Sequence, residues 1–150
     1  MTTYITPTVY RYENVDKLLK SNPSSTSLEQ LQLSIDDLLE KRFLCVVGEP
    51  GIGKSRLFEE FISSIKEKNK IFSCKALEFD EKQISGHIDY CIIDALDEVD
   101  NIYYTLKAIN NFKRSHNSTK VLFSCRKHYV TTNISHFASC QELCYLELQN

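Results

Sequence analysis

The sequence predicts an α/β fold: a five-stranded, mostly parallel sheet with helices on both faces. Two observations carry this expectation. Short apolar runs of strand length alternate with longer segments whose apolar residues recur at helical spacing, the order of a parallel sheet with crossover helices. One run, Phe43-Leu44-Cys45-Val46-Val47, is continuously apolar, as a strand buried on both faces must be. At 150 residues one domain buries roughly 70% of its unfolded surface, enough for a single core.

Residues 1–27 are polar and turn-rich, with Pro7 and Ser21-Asn22-Pro23-Ser24-Ser25. They read as an N-terminal extension holding one short helix around Asn14–Lys20, and the α/β core runs from 28 to 150. Ser27 with Gln30, or Thr26 with Glu29, makes a capping box. Leu28, Leu31, Ile35, Leu38 and Leu39 then recur at helical spacing. The first strand is Phe43–Val47. The next helix, from about Lys54 to Lys68, buries Leu57, Phe58, Phe61, Ile62 and Ile65 and turns Glu59, Glu60, Lys66 and Lys68 to water. Further strands are expected at Lys70–Ala76, Ile88–Asp94, Lys120–Ser124 and Leu143–Leu148. A helix is expected over Ile102–Ser115 and a short one within 127–140. In such sheets the ligand site lies at the carboxyl ends of the strands.

Net charge is −2, which gives no general attraction to nucleic acid or to an anionic membrane. No apolar stretch approaches the ~20 residues of a membrane span. Met1-Thr2-Thr3-Tyr4 lacks the basic-then-apolar order of a secretion signal. Of the six cysteines, Cys45 and Cys91 fall in expected strands, and Cys74 and Cys125 near strand ends. Cys140 and Cys144 lack C-x-x-C spacing. Reduced, mostly buried thiols in a cytoplasmic protein are the reading that fits. His87, His116, His128 and His136 are scattered singly and make no ligand set.

Gly48-Glu49-Pro50-Gly51-Ile52-Gly53-Lys54-Ser55 matches G-x-x-x-x-G-K-[ST], with a strand before it and a helix after it. Glycines let the backbone curl so that successive N–H groups face phosphate oxygens. The helix start adds unpaired donors and partial positive charge. Lys54 is expected to reach the β- and γ-phosphates and Ser55 to take one Mg²⁺ position, with Arg56 closing the nucleotide-binding stretch. The bland alternative is a chance glycine-rich turn. Against it, three of only 4 glycines in the chain fall here.

A second signal is Tyr90-Cys91-Ile92-Ile93-Asp94-Ala95-Leu96-Asp97-Glu98. Asp94 ends an apolar strand. A single carboxylate, with Ser55 and two phosphate oxygens, suits Mg²⁺, which takes few protein ligands. Asp97 or Glu98 is then placed to orient and deprotonate a water, a general base. The third signal, Lys120-Val121-Leu122-Phe123-Ser124-Cys125-Arg126, is a strand ending in a small polar residue and a cation. Beside the Asp94 strand, Ser124 or Arg126 falls near a γ-phosphate, where a guanidinium separates ATP from ADP. Arg126 reads equally well as a solvated member of a basic cluster with Lys127 and His128.

In this order the three signals resemble the NACHT-type members of the STAND class of P-loop NTPases, signal-transducing switches of innate immunity and bacterial defence. The resemblance covers residues 24–148, and its most specific element is Ile92-Ile93-Asp94-Ala95-Leu96-Asp97-Glu98. It implies a three-layer P-loop NTPase sandwich binding ATP or ADP with Mg²⁺. By it, Lys54 and Ser55 bind phosphate and metal, Asp94 supports the metal, Asp97 and Glu98 support hydrolysis, and Arg126 matches the sensor position. It places the phosphate-loop strand next to the Ser124 strand, with the Asp94 strand beyond. The family usually has Gly or a small residue where Ala95 stands. Two departures stand out: the stretch from Ala76 to Ile88 is too short for the usual crossing helix, and the family continues past the position of Asn150 into a helical lid and winged helix.

The function expected from the sequence is therefore an adenine-nucleotide switch module with slow, Mg²⁺-dependent ATP hydrolysis. Self-association or protein partners are expected through C-terminal regions beyond Asn150. The alternatives are a non-hydrolysing nucleotide-binding scaffold and a small-molecule kinase, although no Arg-rich lid cluster is present. A GTPase needs N-K-x-D after the fourth strand, and Asn69-Lys70 lies far too early. Ile84-Ser85-Gly86-His87 is a poor echo of a transporter signature. Tyr4, Ile5 and Pro7 are the local candidates for packing against adenine.

Overall fold

Strand β3 (Phe43–Val47) is buried at all of its residues, the position a continuous apolar run dictates. In the computed structural model, which describes residues 8–20, 24–27, 42–49, 51–65 and 70–149, it lies inside a mixed sheet. The other strands are β1 (Thr8–Tyr12), β2 (Ser24–Ser27), β4 (Ile71–Lys75), β5 (Tyr90–Asp94), β6 (Lys120–Cys125) and β7 (Cys144–Gln149). Their order across the sheet is β2-β1-β7-β3-β6-β5-β4. Strands β7, β3, β6, β5 and β4 are mutually parallel. The pairings of β1 with β2 and with β7 are antiparallel.

The expected sheet of five strands is thus corrected to seven among the described residues. Residues 1–27, read as an extension, supply the two additional strands. Thr8-Val9-Tyr10-Arg11-Tyr12 is rich in β-branched and aromatic residues, and it covers the open edge of β7. Residues 24–27, read as a turn and helix cap, pair through their backbone with β1. The helix expected from Leu28 to Leu39 falls outside the described residues.

Among the described residues five helices accompany the strands: α1 (Val15–Lys20), α2 (Lys54–Ile65), α3 (Ile102–Ser115), α4 (Lys127–Thr132) and α5 (Ile134–Ala138). The segment 127–140 therefore holds two short helices, not one. Alternation along each strand sorts the core into two layers. Leu44, Val46, Tyr90, Ile92, Leu122 and Leu146 face α2 through Leu57, Phe58 and Phe61. Phe43, Cys45, Val47, Cys91, Ile93 and Phe123 face the opposite way, toward α1, α3, α4 and α5. Burying each such side chain contributes roughly 1.5–3 kcal/mol. Asn101 caps α3, its side chain accepting from the Tyr104 N–H at 3.2 Å. Between β4 and β5 the chain makes only two 3₁₀ turns, Ala76–Glu78 and Glu81–Gln83, too short for a crossing helix, as the sequence indicates.

Candidate functional site

β3 leads straight into the Gly48–Ser55 loop and α2. Gly48 is buried, and its N–H donates to the Cys125 carbonyl of β6 at 3.3 Å. A Cβ there would stand 2.8 Å from the Ile52 side chain and 3.4 Å from the Leu148 carbonyl, so the close approach demands glycine. Gly53 has φ +111°, which side chains disfavour, and its carbonyl accepts the Leu57 N–H at 2.9 Å. The loop therefore turns directly into α2, whose first-turn amides have no partner within the helix itself. Lys54 folds back across this loop, its Nζ donating to the Gly48 carbonyl at 2.6 Å. Arg56 pairs along α2 with Glu60 at 3.2 Å. Glu49 is exposed, and Pro50 lies outside the described residues.

Strand parity brings the second and third signals to the same place. Tyr90 and Ile92 face α2, so Asp94, two residues on, emerges on that face at the carboxyl end of β5. Leu122 faces α2 as well, and Ser124 follows it on β6. Ser55 donates its hydroxyl to Asp94 Oδ2 at 2.9 Å, and Ser124 donates to Oδ1 at 2.5 Å. The Ser124 oxygen also accepts the Ala95 N–H at 2.7 Å. Ala95 is left-handed, with φ 65°, the conformation for which Gly is the easier residue. A cavity of about 310 Å³ opens beside the Ser55–Asp94 pair, lined in part by Phe58, Ile62, Lys75 and Glu78. A larger cavity, about 670 Å³, runs along Arg56–Ser64 and reaches neither Asp94 nor Arg126.

The three remaining predicted residues divide. Arg126 Nε lies 3.2 Å from Asp97 Oδ2, and the Asp97 side chain is only 8% exposed. Glu98 closes the Leu96–Glu98 3₁₀ turn and is exposed. Among the described residues its carboxylate has no hydrogen bond or ion pair. Cys125 separates Ser124 from Arg126, and burial first, then the Asp97 charge, pushes its thiol up to about 12. None of the six cysteines is in a disulfide.

Sequence reasoning missed one polar cluster at the same edge. Glu147 on β7 is buried, and its register partner is Val47, the last residue of β3. Glu147 pairs with Lys127 Nζ at 2.9 Å and accepts from the Tyr12 hydroxyl at 3.3 Å. Burial, then Glu147, pushes the Tyr12 phenol up to about 12. The cluster anchors the residue after Arg126 to both β7 and β1. Its sequence signal is a charged residue inside an apolar run, Leu146-Glu147-Leu148, since such residues are almost never buried unpaired.

A hard cation fits the donors present. A hydroxyl and a carboxylate oxygen, the ligand types Mg²⁺ prefers, converge at Ser55 and Asp94. Among the described residues no group of three or more His, Cys, Asp and Glu side chains is arranged so that it could hold a metal ion. No described helix is long and apolar enough to cross a membrane.

No protein-family model and no curated protein matches the chain. Among solved structures it is similar to the solution structure of protein NMB1076 from Neisseria meningitidis, with 18% identity and a TM-score of 0.46. The match covers 68% of this chain and 72% of that one.

Proposed function

We propose that this chain is an adenine-nucleotide-binding module of the P-loop NTPase class, built as a three-layer sandwich and akin to NACHT-type STAND switches. The observation that carries the reading is the Ser55–Asp94 hydrogen bond, 2.9 Å long across 39 positions of sequence. It sets the residue after Lys54 against a strand-end carboxylate two strands away. A loop of this composition binds polyphosphate through backbone N–H groups and a lysine. The strand order β7-β3-β6-β5-β4, with β6 between the loop strand and the Asp94 strand, supports the same class.

In this reading the loop and the start of α2 hold the phosphates, and Lys54 leaves the Gly48 carbonyl for the β- and γ-phosphates. Ser55 and Asp94 would hold Mg²⁺, which would neutralise phosphate charge. Glu98, with its carboxylate open, positions and deprotonates water, and Arg126 responds to the terminal phosphate. Hydrolysis is slow, below the ~10 s⁻¹ median of enzymes, because Asp97 and Arg126 are engaged with each other. Adenine is favoured because no N-K-x-D follows β6. Reduced, mostly buried thiols favour a cytoplasmic location.

The test is calorimetric titration with ATP, ADP and GTP, with and without Mg²⁺, followed by phosphate release. Mg²⁺-dependent binding of ATP and ADP over GTP, with slow release, is the expected result. Failure of all three nucleotides to bind overturns the proposal.

A further inference from the structure

Ser124 is wholly buried, and its single hydroxyl proton is spent on Asp94 Oδ1. A hydroxyl has one donor and two acceptor positions, and one acceptor position takes the Ala95 N–H. A terminal phosphate therefore finds no free donor on Ser124. We propose instead that Ser124 is a positioning residue, which locks the Asp94 carboxylate so that Oδ2 is presented with Ser55 to a divalent cation. The inference rests on the nucleotide reading above and assigns the device that orients its metal site.

Three features converge on the role. Rotation of a carboxylate about its terminal bond is soft and roughly two-fold, so an unheld Asp94 would exchange its two oxygens. Ser124 holds Oδ1 from the β6 side while Ser55 meets Oδ2 from α2, so each oxygen has its own partner. The same Ser124 oxygen also holds the left-handed turn at Ala95. That turn sends the chain from Asp94 into the Leu96–Glu98 segment, so one buried hydroxyl sets both the carboxylate and the direction of the acidic residues after it. Register makes this possible. Ile93 pairs with Phe123 across β5 and β6, so the next residues, Asp94 and Ser124, are neighbours at the strand ends. Hydrogen-bond partners of metal ligands act in this way, and their loss costs about 10–100-fold in metal affinity.

The test uses the full chain with Mn²⁺ as the probe, its affinity read by electron paramagnetic resonance at saturating ADP. ADP affinity in EDTA is measured in parallel. Ser124→Ala is expected to weaken Mn²⁺ by about 10–100-fold while ADP affinity in EDTA stays within about twofold. Ser124→Thr, which keeps the hydroxyl, is expected to recover most of the lost metal affinity. Should Ser124→Ala fail to fold by circular dichroism, Ser124→Cys keeps the bulk but donates weakly and carries the same expectation. Unchanged Mn²⁺ affinity, or an equal loss with and without metal, overturns the positioning role and leaves the nucleotide reading standing. Absence of ADP binding by the unmodified chain removes both.

Discussion

Arg126 and Asp97, each assigned to nucleotide chemistry from sequence, are partners of one another, with Nε 3.2 Å from Oδ2. The arginine is partly exposed and the aspartate nearly buried, so exchanging Asp97 for a terminal phosphate is open to Arg126 alone. Arg126→Ala is therefore expected to narrow the preference for ATP over ADP. Asp97→Asn releases the guanidinium and is expected to widen it. A charge-assisted bond of about 1.5–3 kcal/mol sets the scale at about tenfold or more, since 1.4 kcal/mol is tenfold in affinity. Competitive displacement of a fluorescent nucleotide by ATP and by ADP measures the ratio. An unchanged ratio in both variants leaves the pair as a surface ion bridge.

Lys54→Ala is expected to cost about 10–100-fold in ATP affinity, the loss of one charge-assisted contact. The thermal midpoint should hold, because Lys54 bonds only to the Gly48 carbonyl among the described residues and fills no core space. Calorimetry and a melting curve separate the two effects. Wild-type ATP affinity in the variant removes the loop from the nucleotide site.

Asp94 and Glu98 should part company when each is neutralised. Asp94→Asn removes a ground-state ligand and is expected to weaken Mg²⁺-dependent binding. Glu98→Gln should keep binding and lower turnover, since a base acts chiefly in the transition state. Equal losses of binding in the two variants reject this division. If Asp97→Asn alone halts phosphate release, the base is Asp97.

Tyr145 is wholly buried, and its hydroxyl has no hydrogen-bond partner among the described residues. Leaving such a group dry costs about 1–3 kcal/mol, so Tyr145→Phe should not destabilise the fold. It is expected to raise the thermal midpoint by about 2–4 °C per kcal/mol gained in a domain of this size. A clear fall in the midpoint would show that the hydroxyl is satisfied in solution.

Alkaline pH supplies a further check. Burial pushes the thiols of Cys91 and Cys125 from 9.0 up to about 12. Their protonated forms are thus favoured in the folded state more than in the unfolded one. The resulting stability is full below pH 9 and is lost as pH climbs toward 12. The phenol of Tyr12, raised from 10.0 to about 12, adds to the same loss over the upper part of that window. The thermal midpoint should be flat from neutral pH to about 9 and fall beyond it. A midpoint that holds through pH 11 would mean that these groups titrate alike in both states.

The central parallel strands were legible because their residues are mostly apolar on both faces, and β3 was read to its observed ends. The helix over Ile102–Ser115 was read equally well, since Leu106, Ile109 and Phe112 mark its buried face. β1 and β2 were not. Ser24-Ser25-Thr26-Ser27 has no apolar pattern, and only its backbone pairing with β1 makes it a strand. In the site, residue types and strand ends could be read, but not which groups meet. That Ser124 turns to Asp94, or that Arg126 and Asp97 neutralise each other, depends on register between strands far apart in sequence. Glu147 was passed over, although a carboxylate inside an apolar strand signals a buried pair.

The neighbours of β3 are β7 and β6, both encoded downstream of it. As the chain emerges from a ribosome, β3 and its glycine loop therefore wait with both edges open until residues beyond 120 have been made. Long-range parallel pairing of this kind is slow and exposes sticky strands meanwhile. The Tyr12–Glu147 bond, closing a span of 135 residues, must form among the last contacts. The site around Ser55, Asp94 and Ser124 would accordingly be completed only once residues beyond 120 have been made, so ligand binding during synthesis would report the closed sheet and not its early steps.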